Sequence, residues 1–105
     1  MLNTDTPSSN RKLLLFGKGQ AEYKEQVALL ATDSVGMAER DLVVITPEQT
    51  DLKKYDVPAN RFVVLLIGKD GGEKFRSTKH VEVETIFKLI DSMPMRQAEM
   101  ERTKE

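Results

Sequence analysis

RFVVLLIGKDGGEKF, residues Arg61 to Phe75, decides the fold. Phe62 to Ile67 (FVVLLI) is apolar throughout, too short for a helix and rich in strand-forming side chains. Asp70-Gly71-Gly72 follows, and such residues supply the positive φ angles of a hairpin loop. Glu73 to Arg76 (EKFR) then returns as an edge-like strand with Phe75 pointing inward. The stretch predicts a β-hairpin, and the remainder of the chain has to be arranged around that antiparallel pair.

Upstream, Lys12 to Phe16 (KLLLF) reads as a short buried strand stopped by Gly17. After the loop Gly17-Lys18-Gly19, helical spacing runs from Glu22 to Arg40, with Tyr23, Val27, Leu30, Ala31, Val35 and Ala38 on one face. Glu22 and Glu25 stand near its start, where the helix dipole favours negative charge. Leu42 to Thr46 (LVVIT) predicts a second buried strand, ended by Pro47. Glu48 to Tyr55 has room for one or two helical turns, and Pro58 bars any helix through it. Downstream of the hairpin, Glu82 to Met93 carries Val83, Ile86, Phe87, Ile90 and Met93 on one stripe, a last helix closed by Pro94.

The order is thus β-α-β, a short helical link, then β-β-α. The first unit implies a right-handed parallel crossover, and the hairpin must be antiparallel. Three uniformly apolar strands call for a sheet covered on both faces. The fold expected is α/β, a mixed four-stranded sheet with helices on both faces. Residues 11–96 form the domain, Met1 to Asn10 a disordered lead, and Gln97 to Glu105 a polar tail or frayed helix.

Composition narrows the function. A chain of 105 residues supports one core. Sixteen Lys and Arg against 17 Asp and Glu leave a net charge of −1, which gives no global reason to bind nucleic acid or an anionic membrane. No apolar run is long enough to span a bilayer. The first ten residues lack the apolar segment of a signal peptide. Cysteine is absent, so this chain by itself forms no disulfide, thiolate metal site or thiol redox cycle.

The element order resembles the thioredoxin fold. More specifically, Ala38-Glu39-Arg40-Asp41-Leu42, Phe62 to Arg76, and Ile90 to Arg96 with Glu99-Met100 resemble the P-DUDES family. These are cysteine-poor, peroxiredoxin-like domains found alone in bacteria and in extracellular proteins such as equarin and sushi-repeat-containing proteins. The resemblance spans most of Arg11 to Met100. It implies a thioredoxin-like domain, an extracytoplasmic location and no established biochemical role. In thioredoxins the nucleophilic thiolate stands at the N-terminus of the helix after the first strand, where the dipole lowers its pKa. Here that loop, Gly17 to Glu22, holds no Cys, Ser or Thr. Thioredoxins also place a cis-proline before the third strand. Arg61 stands near that position, and Pro58 comes three residues too early.

Other candidates are weighed against plainer readings. Gly17-Lys18-Gly19 has backbone N–H groups for an anion but matches neither a Walker motif nor GxGxxG, so a simple turn is favoured. His80, the single histidine, has no partners at ligand spacing, and no metal or cofactor is expected. Lys69, Lys74, Arg76 and Lys79 surround the hairpin with Asp70 and Glu73 between them. A solvated, edge-protecting face is favoured over an anion patch, and no aromatics interleave for single-stranded nucleic acid. Arg40, Asp41, Asp91, Pro94 and Arg96 read as a structural motif, with Arg96 pairing to Asp91, Glu39 or Asp41. Met93, Met95 and Met100 offer an adaptable contact surface.

Two functions follow. The first is a non-catalytic binding or interaction module with an unknown protein partner, monomeric or weakly dimeric. The second is a small-anion binder or cysteine-independent enzyme using Arg61, Lys69, Lys74 and the Gly17–Gly19 loop, with Arg96 a further candidate for anion or partner binding. The second requires Arg61 and Lys74 to share one concave pocket.

Overall fold

The computed structural model describes residues 10–47 and 51–102. Most of the expected lead, the start of the helical link and the last three residues lie outside the described residues. Chain order is β1 (Arg11–Phe16), α1 (Ala21–Ala31), α2 (Ser34–Glu39), β2 (Leu42–Ile45), α3 (Asp51–Lys54), β3 (Val63–Ile67), β4 (Glu73–Ser77), α4 (Val83–Asp91) and α5 (Pro94–Arg102). The strands form one mixed sheet in the order β2-β1-β3-β4. β1 runs parallel to β2 and antiparallel to β3, and β3 is antiparallel to β4. The α/β architecture expected from the sequence is present.

The pleat sorts the core into two layers. Leu13 and Leu15 of β1 with Val64 and Leu66 of β3 face α1, α2 and α4, where they meet Leu30, Ile86, Phe87 and Ile90. Leu14, Phe16, Val63, Leu65 and Ile67 face the other way, onto Leu52, Tyr55 and Val57 around α3. Arg76 spans this second face from β4, donating to the carbonyls of Tyr55 at 2.6 Å and Asp56 at 3.0 Å. The α4 stripe of Ile86, Phe87 and Ile90 is buried as expected.

The long helix read across Glu22 to Arg40 is two helices. Thr32 Oγ1 donates to the Leu29 carbonyl at 2.6 Å, and the Asp33 carboxylate accepts from Gly36 N–H at 2.8 Å. Such local side-chain bonds offer the backbone an alternative to continued helix, and Asp33 becomes the N-cap of α2. The break shifts the buried face. Gln26, Leu30 and Gly36 are buried, whereas Val27, Ala31, Val35 and Ala38 are exposed. Gly36 fits because a Cβ there would lie 2.5 Å from Phe87 Cε2.

Three further expectations are corrected. β2 is an edge strand with one neighbour, so only Leu42 of its four residues is buried. Of Asp70, Gly71 and Gly72, only Gly71 takes a positive φ, +85°. Asp70 Oδ1 instead closes the turn by accepting Gly72 N–H at 2.9 Å. Pro94 does not close α4, which ends at Asp91; it opens α5, where its missing N–H costs nothing. The segment from Gln97, read as tail or frayed helix, is helical through Arg102.

Candidate functional site

The carboxyl ends of the parallel strands β1 and β2 open onto a pocket of about 270 Å³. Ligand sites in open α/β sheets characteristically form at such ends. Gly17 leaves β1 at φ +86°, and Gly17 to Gln20 turn the chain into α1. Gln20 is the N-cap, yet its side chain makes no capping bond; its Nε2 donates to the Asn60 carbonyl at 3.1 Å. The wall opposite carries Asn60 and Arg61. Lys18, Arg61 and the first amides of α1 give this pocket a positive character. The Tyr23 hydroxyl bonds Thr46 Oγ1 at its rim. Arg61 therefore stands on this pocket.

The other candidate cations lie at the opposite end of the sheet. Lys69, Asp70 and Lys74 line a separate pocket of about 230 Å³ together with Arg11, Met93 and Met95. Arg61 precedes β3 and Lys69 follows it, so the strand itself holds them apart. The single concave site that would join Arg61 to Lys74 is not formed. Around the hairpin, Lys74 pairs with Asp70 at 2.8 Å and Arg76 with Glu73 at 3.0 Å, a solvated face of matched charges. His80 is exposed in the loop before α4.

Arg40, Asp41, Lys69, Asp91 and Arg96 converge, and the structure adds Arg11 and Glu99. Arg40 binds both carboxylate oxygens of Asp91 at 3.0 Å and lies 4.0 Å above the Phe87 ring. Arg96 reaches Asp91, one of the three partners the sequence offers it, at 3.1 Å, and the Glu39 backbone carbonyl at 3.0 Å. Arg11, only 1% exposed, donates from Nη1 to the Arg40 carbonyl at 2.7 Å. Its guanidinium grips both oxygens of Glu99, at 3.2 and 3.0 Å. Lys69 bridges Asp41 at 2.8 Å and Glu99 at 2.7 Å. Asp41 sits at φ +50° just after α2, and its carbonyl accepts the Arg11 backbone N–H at 2.7 Å. One ionic network thus ties both ends of the domain to the α2–β2 and β3–β4 junctions. Each of these charged groups has a partner within the protein.

The energetics of the network follow from its burial. Burial alone pushes the Glu99 carboxyl up, but hydrogen bonds from Arg11 and Lys69 overcome it and hold its pKa down at about 2, from 4.5. Asp91 is likewise raised by burial and lowered further by Arg40 and Arg96, with a net downward shift. Lys69 is pulled down by burial and pushed up more by Asp41 and Glu99. Carboxyls lowered in the folded state stabilise it above their unfolded pKa and lose that contribution as pH falls. Stability is therefore expected to drop from about pH 4.5 downward, with the Glu99 part exhausted near pH 2. Urea unfolding across this range should show Glu99→Gln lacking up to ~3 kcal/mol of the acid sensitivity of the unmodified chain. Identical slopes in the two proteins would refute the assignment.

Sequence reasoning missed three residues. Gln26, fully buried, donates to the Val81 carbonyl at 3.0 Å and accepts from Val81 N–H at 2.7 Å. Its signal was spacing, since Tyr23, Gln26 and Leu30 share one helical face. Arg11 and Glu99 stand 88 positions apart, and nothing local marks them as partners.

The remaining surface feature is apolar. Val27, Val35, Val43 and Val44 are 44, 70, 37 and 39% exposed. Val27, Ala31, Met37 and Val44 line a shallow groove between α1, α2 and the outer edge of β2. Leu42 and Val43 continue it along the strand.

Over residues 4–99 the chain matches the family model described as Domain of unknown function (DUF4174). No curated protein and no solved structure matches it.

Proposed function

Since the chain belongs to the DUF4174 family of domains of unknown function, we propose that it is a non-catalytic, thioredoxin-like interaction module. The strand order β2-β1-β3-β4, with β1 parallel to β2 and helices on both faces, supports the thioredoxin-like part. The fold's thiol chemistry has no sulfur nucleophile here, because the chain contains no cysteine.

The exposed valine strip on the β2 edge carries the interaction reading. β2 (LVVI) holds no charged residue and no proline, the usual devices that protect a free edge. An extended segment adding to this edge gains main-chain hydrogen bonds, and the groove of Val27, Ala31, Met37 and Val44 receives its alternate side chains. The partner is an extended protein segment, from another protein or from a second copy of the chain.

Sedimentation velocity over a dilution series, combined with peptide-display selection, tests this. Association or enrichment of extended apolar peptides, each lost in Val44→Lys, is the expected result. Val44 is half-exposed, so that substitution should leave folding within ~0.5 kcal/mol. A monomer at every concentration with no enriched peptide would sink the proposal. The small-anion alternative retains one supporting observation, Lys18 and Arg61 on the pocket at the start of α1. Phosphate-dependent shifts of the Gly17 to Gln20 amides, without peptide binding at β2, would favour it instead.

A further inference from the structure

α5 is an unusual closing element. None of its nine residues is buried, so apolar burial contributes little to its docking. What the structure shows holding it is polar. Its first turn is pinned by Arg96 on Asp91 and on the Glu39 carbonyl. Gln97 Nε2 donates to the Asp91 carbonyl at 2.6 Å. Beyond these, the ionic anchor is Glu99 on Arg11 and Lys69.

The receiving side is built into the body of the domain. Arg11 belongs to β1 and is held by the Arg40 carbonyl independently of α5. Lys69 lies in the hairpin loop and is held by Asp41. Two cations fixed by other elements present a bidentate and a single donor to one carboxylate, the geometry that recognises such a group in any ligand. Beside them lies the 230 Å³ pocket, with Met93, Pro94 and Met95 on one wall and Lys74 on another. That space suits a short apolar body attached to the carboxylate.

We propose that Arg11 and Lys69 form a carboxylate-binding site which Glu99 fills in cis, and that a small organic acid takes the site when the end of α5 lifts away. The first turn, pinned by Arg96, stays in place and keeps the apolar wall. α5 is then a latch on a ligand site at the end of the sheet opposite the Arg61 pocket.

Two experiments on the full chain test this, with acetate as the probe and chloride at equal ionic strength as the control. In Glu99→Ala the site is vacated, and about 100 mM acetate should raise Tm by about 5 °C over chloride, against less than about 1 °C for the unmodified chain. An equal shift in both proteins, an equal effect of chloride, or no shift overturns the proposal. Should Glu99→Ala fail to fold, hydrogen exchange on the unmodified chain decides. Amides of 99–102 should exchange at least about tenfold faster than those of Ile86 and Ile90, and faster again in acetate than in chloride. Protection shared equally between α4 and the end of α5, insensitive to acetate, refutes the latch.

Discussion

Replacing Gln26 with leucine is expected to destabilise the domain by ~3 kcal/mol or more, although leucine matches its size and is the more hydrophobic residue. Gln26 sits fully buried on α1 and satisfies both backbone groups of Val81, accepting from its N–H at 2.7 Å and donating to its carbonyl at 3.0 Å. The pair works as a borrowed strand partner for the loop leading into α4, whose Val81 is itself buried. Leucine removes one donor and one acceptor together and leaves two buried backbone groups unpaired, each costing ~1–3 kcal/mol. The gain from added apolar area is smaller, because an already close-packed interior has no new surface to bury. Urea denaturation followed by circular dichroism measures the effect. Gln26→Glu is the informative companion: it keeps an acceptor for the Val81 N–H but loses the donor to the carbonyl. It should become more stable as its carboxyl is protonated in mild acid, since the acid form regains a donor. A leucine variant as stable as the parent would show that Val81 finds other partners.

Gly17→Ala is expected to cost ~3 kcal/mol or more, while Gly19→Ala, two residues on, should be neutral or slightly stabilising. Gly17 adopts φ +86°, a region that costs an L-residue ~1–2 kcal/mol. Its missing Cβ would also lie 2.5 Å from the Arg61 carbonyl oxygen and 2.7 Å from Phe62 Cα. Those are backbone atoms at the mouth of β3, so relief requires moving a central strand whose residues are all buried. At Gly19 an added Cβ meets nothing within 4 Å, and the smaller entropy of the unfolded chain favours alanine. Thermal unfolding of both variants checks the contrast, and equal midpoints would refute it. The prediction also bears on the pocket. Because Gly17 touches Arg61 through the backbone, a folded Gly17→Ala protein should show displaced amide resonances on both walls, at Gly17 to Gln20 and at Asn60 to Phe62.

Much of the architecture was legible because its signals are local. β3 is a continuous apolar run, β1 carries one over Leu13 to Phe16, and α4 repeats its apolar residues at helical spacing. Val27, Val35 and Ala38 continue a plausible helical stripe past the real break, so the sequence suggests one helix over Glu22 to Arg40 where there are two. Thr32 and Asp33 break it through hydrogen bonds whose geometry is set only once the chain turns. LVVI looks the same in the middle of a sheet or at its edge, so the edge position of β2 is not legible in it. The candidate site was less legible. Arg40, Asp91 and Arg96, named together from the sequence, do pair in space, and Arg61 lines a pocket, but not the one shared with Lys74 that the sequence suggested. Arg61 precedes β3 and Lys74 follows the turn after it, so the hairpin read from the sequence already sets them at opposite ends of the strand.

The sequence by itself determined the hairpin, the β-α-β unit before it, the buried stripe of α4 and the absence of thiol chemistry. Each depends on the period or the presence of side chains within a short window. The tertiary structure alone decided the edge position of β2, the burial of Gln26 and the grip of Arg11 and Lys69 on Glu99. These depend on strand order and on the docking of helices distant in sequence. A charge's partner is chosen by distance in space, and 88 intervening residues bring Arg11 and Glu99 together only when the whole sheet is assembled.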